Sequence, residues 1–512
     1  HFYSDRRAHT SDGKLVVETK PERTFIKGFD DIKRKEVLVV KNFTSAMLQS
    51  WNKFCFTGGV VEARIKLPGR AFVGGLWPAF WLLGNLARHT YVGTSNWIWP
   101  WSKSDCNEKL IHSQEINGCL STDHYQMQRH QGRGAPEIDI LEGQPGPTPV
   151  GVGDYLKSLV GQPFISTSLQ VAPGRSAQRP GPGNWPGPGE WYQGIAHGPN
   201  SSININFYGN YNFFGKEFAA PEYSYWSDAI SWNTQLNESH FEQFHNYRLE
   251  WGPPDVDDPK QGGFLAWYID NQMVLHMNST NLNSGDTGAE IPSEPSYILF
   301  NVAVSKNWGF PKIPEGEPCP RECFDCDAAA KWECKCGLPA GFCAQLTTEM
   351  LVDHVRVWQN PDDERQKVGC STPERPTKAY IKGHTEVYKL ANQKAPLQPT
   401  SRGGGSCMPR AGGDEVCGID DARGECVALW YDGLFGVQAG RCVCADGWSG
   451  SMCRNSAASD PIEWDPDVTA GDLGFQSPIM ANFVVYVVTV GLVFVGGLLR
   501  YFEDRGGKRR RQ

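Results

Sequence analysis

The chain has 512 residues, 40% hydrophobic and 21% charged, with 49 Lys and Arg against 57 Asp and Glu for a net charge of −8. That length allows about three domains, or one large β unit with appendages, and the composition excludes a disordered chain. The acidic balance argues against nucleic acid as the main partner, and 18 Trp with 56 Gly and 35 Pro disfavour a helical bundle and favour a turn-rich β protein.

Residues 1–388 read as one large all-β domain. Alternating or β-branched runs recur between Gly, Pro and Asn turns: Lys14–Lys20, Phe43–Leu48, Gly59–Lys66, Asn246–Trp251, Phe264–Asp270, Tyr297–Val304 and Met350–Trp358. Spaced short strands of this kind predict a sandwich or barrel. Two insertions interrupt the pattern, Asn85–Gly134 and the Pro- and Gly-rich Pro173–Pro199, the latter predicted as an irregular surface loop. Residues 389–405 read as a linker. Residues 406–454 hold Cys407, Cys417, Cys426, Cys442, Cys444 and Cys453, the mark of a small disulfide-rich module, whose pairing spacing alone leaves open. A juxtamembrane stalk, 455–477, follows.

The run Pro478–Leu499 carries no charge, and at ~1.5 Å per residue it spans about the ~30 Å hydrocarbon core. It predicts one transmembrane helix. The tail 500–512 holds six basic and two acidic residues, so it carries +4 and the rest of the chain −12. The basic side belongs in the cytoplasm, which puts the N-terminal bulk in the lumen or outside. The expectation is a single-pass membrane protein of the secretory pathway or plasma membrane.

Sixteen cysteines agree with that compartment, as do four Asn-x-Ser/Thr glycosylation acceptors at Asn42, Asn200, Asn237 and Asn278. Cys319, Cys323, Cys326, Cys334, Cys336 and Cys343 cluster. Their two short pairs suit either zinc thiolates or a disulfide-stapled loop, and the compartment favours the loop. No resident metal and no cofactor is expected. The chain has no phosphate-binding Gly-rich loop, dinucleotide fingerprint, His-Glu-x-x-His or nucleophile elbow.

The sharpest feature is Glu137-Ile-Asp139-Ile-Leu-Glu142. On a strand, Glu137 and Asp139 share a face and Ile138 and Ile140 take the other. Plain alternation puts Glu142 on the wrong face, and one β-bulge between Asp139 and Glu142 restores it. Three carboxyl groups in a row suit retaining glycoside hydrolysis, which needs a nucleophilic carboxylate and a protonated acid ~5–5.5 Å apart, near the reach of residues two pleats apart on one face. The middle Asp can hydrogen-bond the nucleophile and help keep the acid protonated. An inverting mechanism would need ~6.5–9.5 Å between the carboxyls.

Aromatic residues supply candidate sugar platforms. Trp77 and Trp81 share a face that serves either core or cleft. Trp97, Trp99 and Trp101 alternate in the first insertion, where exposed rings on a loop point to a ligand. Trp251, Trp267 and Trp358 lie inside β patterns and read as core, and His245 reads as structural. The substrate-binding candidates are Trp77, Trp81, Trp99, Trp101 and Trp308.

Asp12–Val17, Gly59–Pro68, Leu76–Leu83, Glu137–Glu142, Phe244–Trp251 and Val352–Trp358 together resemble glycoside hydrolase family 16, in that family's order. More narrowly, Thr44–Gly58, Arg133–Glu142, Asp228–Asn237 and Val368–Tyr380 resemble the fungal β-glucan-synthesis-associated proteins. The resemblance implies a concanavalin-like β-sandwich, or jelly roll, with an open glucan cleft. It carries the nucleophile onto Glu137, the assisting carboxylate onto Asp139 and the acid/base onto Glu142, and it puts Trp308 where the family often has a cleft aromatic. The segment Cys442–Cys453 resembles an EGF-like module, which implies the pairs Cys407–Cys426, Cys417–Cys442 and Cys444–Cys453. The expectation is a membrane-anchored retaining β-glucan glucosidase or transglycosylase that makes or remodels β-1,6- or β-1,3-glucan. A non-catalytic β-glucan-binding scaffold or receptor is the alternative.

Overall fold

The computed structural model describes residues 1–30, 35–89, 92–95, 98–106, 114–119, 125–146, 160, 163–175, 180, 184–205, 227–255, 258–282, 289–305, 308, 324–327, 337–384, 388, 403–407, 417–418, 422–431, 438–445, 448–449, 453 and 455–456. The expected transmembrane run 478–499, the tail 500–512, Trp97 and most of the linker lie outside them. Among the described residues, no helix is long and apolar enough to cross a membrane.

Two large sheets stack into a mostly-β sandwich. The first runs Phe2–Tyr3, Lys35–Ser45, Lys14–Asp30, Thr348–Trp358, Gly59–Lys66, His245–Gly252, Phe264–Ile269, Gln272–Asn278, Ala196–His197. The second runs Ser201–Ile203, Asp228–Gln235, Phe164–Val171, Glu137–Gln144, Leu76–Gly84, Ser296–Val304, Cys55–Thr57, Lys367–Val368. Alternation decides which face each strand buries. Val61, Ala63 and Ile65 point inward while Arg64 stays in water. Leu249, Trp251, Trp267 and Val352 of the first sheet meet Phe80, Leu82, Ile138, Leu169, Ile230 and Val302 of the second in one core. Fully burying one such side chain stabilises by about 1.5–3 kcal/mol.

A second apolar cluster lies on the other face of the second sheet. Trp81, Leu83, Tyr297 and Leu299 pack there against Leu86, Ile98, Ile116 and Met127 of the first insertion and Tyr380 and Tyr388 near the domain's end. Residues 370–384, with Tyr388, form a strap that locks this layer down. Cys55 and Cys370 form a disulfide, Arg133 donates to Pro376 O, Arg88 to Tyr388 O, and Trp51 stacks on Tyr388. Beneath the strap, Glu294 accepts both Arg133 Nε and Nη2 at 2.9 and 2.7 Å.

Several expectations need correction. Trp358 is 46% exposed, because the end of its strand faces water on the outer side of the first sheet. Trp191 and Tyr192 of the second insertion are buried in the main core, so that segment is not wholly a surface loop. In agreement with the favoured disulfide-stapled loop, Cys326 is bonded to Cys343, while Cys319, Cys323, Cys334 and Cys336 lie outside the described residues. Cys106 is bonded to Cys119.

Nearer the C-terminus, Gly403–Cys407, Gln438–Cys444 and Gly424–Tyr431 form a small three-stranded sheet. Disulfides join Cys407–Cys426, Cys417–Cys442 and Cys444–Cys453. The buried Arg423 donates from Nη1 to Cys453 O at 3.1 Å.

Candidate active site

The strand Glu137–Gln144 lies inside the second sheet, paired with Leu76–Gly84 on one side and Phe164–Val171 on the other. Asp139 opposes Trp81 and Leu141 opposes Phe80, so Ile140 is the extra residue of a bulge. Across the other ladder, Asp139 opposes Ser168 and Glu142 opposes Ser166. Ile138, Ile140 and Leu141 all bury in the core. The bulge absorbs the odd step in the alternation, and Glu142 returns to the face of Glu137 and Asp139. From the opposite sheet, Trp267 Nε1 donates to the Asp139 carbonyl at 2.9 Å and pins the bulged backbone from within the core.

Neighbouring side chains divide unequally among the three carboxyl groups. Both oxygens of Glu137 accept a hydrogen bond, Oε2 from Trp99 Nε1 at 2.7 Å and Oε1 from Gln170 Nε2 at 2.8 Å. Gln170 also reaches Asp139 Oδ2 at 3.0 Å, where Ser168 Oγ donates as well. Glu142 Oε1 accepts from Trp77 Nε1 at 3.1 Å, whereas its Oε2 is buried without a partner among the described residues.

Burial pushes the carboxyl of Glu137 well above its ordinary value, and the charges of Asp139 and Glu142 push the same way, against the pull of the Trp99 N–H. Burial likewise lifts Glu142 well above the carboxylate range, with Asp139 adding to it and Trp77 opposing. Asp139 is raised by burial and drawn back by Ser168, Gln170 and Glu137. One face therefore holds three buried carboxyl groups, each pushed towards its protonated form, of which Glu137 has a donor on each oxygen and Glu142 has one on Oε1.

The aromatic candidates fare differently. Trp77 and Trp308 stand at the Glu142 end, stacked with centroids 4.7 Å apart, and Trp308 Nε1 donates to Gly143 O at 3.0 Å. Trp99 stands at the Glu137 end. Trp101 is 1% exposed and forms a bridge with Ala172, so its ring is packing and not a platform. Trp81 is on the carboxylate face but 6% exposed, with Nε1 on Asn301 Oδ1 at 2.8 Å and its ring edge-on to His89. Burial takes the His89 imidazole down to about 4, so it is neutral at neutral pH. Sequence reasoning missed Ser168, Gln170, Asn301 and His89. The alternation of Ser166, Ser168 and Gln170 in Phe164–Val171 was the available signal for a polar face beside the carboxylates.

A different cluster invites comparison. Ser239 Oγ meets His245 Nε2 at 2.9 Å, and His245 Nδ1 meets Asp270 Oδ2 at 2.5 Å, beside a cavity of about 240 Å³. The N–H groups of Ser239, His240 and Phe241 are taken by Asn237 Oδ1, Asn237 O and Glu238 O. These three N–H groups are therefore not free to hold an oxyanion, and the trio is read as structural. Of the four glycosylation acceptors, Asn200 and Asn237 are exposed, Asn278 is half-buried, and the half-buried Asn42 donates from Nδ2 to Phe324 O at 2.9 Å.

The family described as "Beta-glucan synthesis-associated protein SKN1/KRE6/Sbg1" matches residues 2–317 and 343–399. The protein SKN1 of Candida albicans is 28% identical over 371 residues, covering 68% of this chain and 41% of the relative. The KRE6 protein of Saccharomyces cerevisiae is 26% identical over 370 residues, covering 68% and 42%. The chain thus spans about two fifths of the length of these curated relatives. Among solved structures, the catalytic domain of an endo-1,3-beta-glucanase (laminarinase) from Thermotoga petrophila matches at 18% identity, over 70% of this chain and 82% of that one, with a TM-score of 0.33. A non-specific endo-beta-1,3(4)-glucanase, SCLam, matches at 15% identity, over 70% and 80%, with a TM-score of 0.34.

Proposed function

Because the chain belongs to the SKN1/KRE6/Sbg1 family of β-glucan synthesis-associated proteins, we propose that it is a retaining β-glucan glucosidase or transglycosylase, held to a membrane by 478–499, that builds or remodels β-1,6- or β-1,3-glucan. The observation that carries this reading is the unequal environment of the two glutamates on one bulged strand. Glu137 has a donor on each oxygen, which favours the anion. Burial and Asp139 raise both glutamates, and Glu142 has fewer donors to offset this, one on Oε1 and, among the described residues, none on Oε2, which favours the acid there.

A Glu137 oxygen attacks the anomeric carbon while the glycosidic C–O bond breaks and Glu142 passes its proton to the leaving oxygen. Asp139 remains between them and shares Gln170 with the nucleophile. Glu142, now a carboxylate, then takes the proton of an acceptor hydroxyl as that oxygen displaces Glu137. Two inversions give net retention. A sugar acceptor makes a longer chain and water a shorter one, and the family's association with β-glucan synthesis favours the sugar.

The test uses the 512-residue chain, made with its disulfides in a secretory host and kept in detergent. It is incubated with β-1,3- and β-1,6-gluco-oligosaccharides beside Glu137→Gln, and products are read by mass spectrometry. Longer and shorter products together, absent in the variant, are expected. Shorter products alone would reduce the reading to a hydrolase. No turnover with equal glucan binding by both forms would favour the scaffold.

A further inference from the structure

The first insertion reaches the carboxylate strand through one turn, and that turn is fixed from several sides. Ile98 N and Trp99 N donate to Ser95 O at 3.2 and 2.9 Å, and Trp101 N and Ala135 N both donate to Ile98 O, at 3.1 and 2.9 Å. Trp101 is buried and bridges to Ala172, just past the end of Phe164–Val171. Gly134 presses so close that a Cβ there would stand 2.3 Å from Trp101 Cβ. The turn is thus tied to the very segment that leads into Glu137. Between its buried neighbours Ile98 and Trp101, half-buried Trp99 aims its indole N–H at Glu137 Oε2, 2.7 Å away.

We infer that Trp99 is a positioning residue for the nucleophile: its N–H holds Glu137 oriented in the free protein and receives the carboxylate again when the glycosyl ester breaks. This rests on the role of Glu137 proposed above. A hydrogen bond to an anionic oxygen is about twice as strong as one to a neutral oxygen. In the covalent intermediate Glu137 is an ester and the Trp99 bond weakens. When the acceptor oxygen displaces Glu137, the electron pair of the ester C–O bond returns to the carboxylate and the bond strengthens. Trp99 therefore assists departure from the intermediate more than its formation.

The groups facing Glu137 make this donor necessary. Asp139 and Glu142 on the same strand both disfavour its anion. Gln170 on the adjacent strand is uncharged. Tyr297, from Ser296–Val304, feels the Glu137 charge, and burial keeps its phenol protonated. Trp99 and Gln170 are the donors that offset two like charges.

The experiment compares the full chain with Trp99→Phe and with Trp99 replaced by benzothienylalanine, which keeps the bicyclic ring and lacks the N–H. Two quantities are read: the pH profile of kcat/KM on β-gluco-oligosaccharides, and the amount of Glu137 ester trapped from a 2-deoxy-2-fluoro-glucosyl donor. In both variants the acid limb should rise by about one to two pH units, and the trapped ester should persist several-fold longer. If the phenylalanine variant fails to fold, the isosteric replacement decides. Unchanged limb and ester lifetime in a folded variant overturn the inference and leave the role of Glu137 standing. A wild-type chain that neither turns over nor forms the ester at Glu137 overturns both.

Discussion

Glu290 shows how one carboxyl can set the pH range of the fold. It is 5% exposed, accepts from Ser104 N at 3.3 Å through Oε2, and leaves Oε1 buried without a partner among the described residues. Burial, then Asp105, raise it from 4.5 to about 7, while Lys103, the Ser104 N–H and Arg375 pull it down. The folded chain therefore holds this proton more tightly than the unfolded chain. Its stabilising contribution is complete below about 4.5 and is lost as pH rises through about 7. Glu290→Gln removes the titration, so at pH 8 the variant should exceed wild type by roughly 3 kcal/mol, with little gain at pH 4. Calorimetric unfolding at the two values checks it, and parallel curves would show that Glu290 carries no such proton. Nothing in the sequence marked this residue, because its environment is assembled from segments nearly two hundred positions apart. Glu137, Asp139 and Glu142 were legible for the opposite reason: their arrangement is local, and alternation with one bulge places all three.

At the scale of elements, the same limit separates what was readable from what was not. Gly59–Lys66 is where alternation puts it, and the strands around Trp251, Tyr297 and Val352 differ from expectation only by a residue or two at their ends. Period-two patterning tells which residues share a face. It does not tell which face another segment covers, so Trp101 and Trp358 exchanged expected places, the loop ring buried and the strand ring in water. The turn that buries Trp101 depends on Gly134. Gly134→Ala would set a methyl against Trp101 Cβ and Trp101 O, each 2.3 Å away. We expect a loss of about 1–3 kcal/mol from such overpacking and a fall in glucan turnover as Trp99 is displaced. Thermal unfolding and product formation measured on one preparation test both parts, and an unchanged melting temperature would refute the close contact.

Across the whole molecule, the strap of residues 370–384 with Tyr388 closes the layer that carries Trp99. Its covalent tie, Cys55–Cys370, joins positions 315 residues apart. Replacing both cysteines by serine should cost about 2–5 kcal/mol, the usual range for a native crosslink. It should also open the chain near Cys370 to limited proteolysis, and equal protease resistance in both forms would show that packing of Tyr380 and Tyr388 suffices. Strand spacing left a sandwich and a barrel both open, and the family resemblance implied the sandwich. The second apolar layer was not legible, since Trp51, Ile98, Met127 and Tyr388 follow no single period and meet only in the folded chain.

The order of strands in the first sheet also has a consequence for synthesis. Thr348–Trp358 lies between Lys14–Asp30 and Gly59–Lys66. A ribosome adding roughly 5–20 residues per second needs about 15 s to a minute to travel from Lys66 to Thr348. Throughout that wait, two early strands expose unpaired backbone edges to any other nascent chain. In the second sheet Leu76–Gly84, Glu137–Gln144 and Phe164–Val171 are made in succession, but Leu76–Gly84 and Cys55–Thr57 likewise wait for Ser296–Val304. The demand for chaperones during translation therefore falls on both sheets, and in the first it ends only when Thr348–Trp358 slides into the gap kept for it.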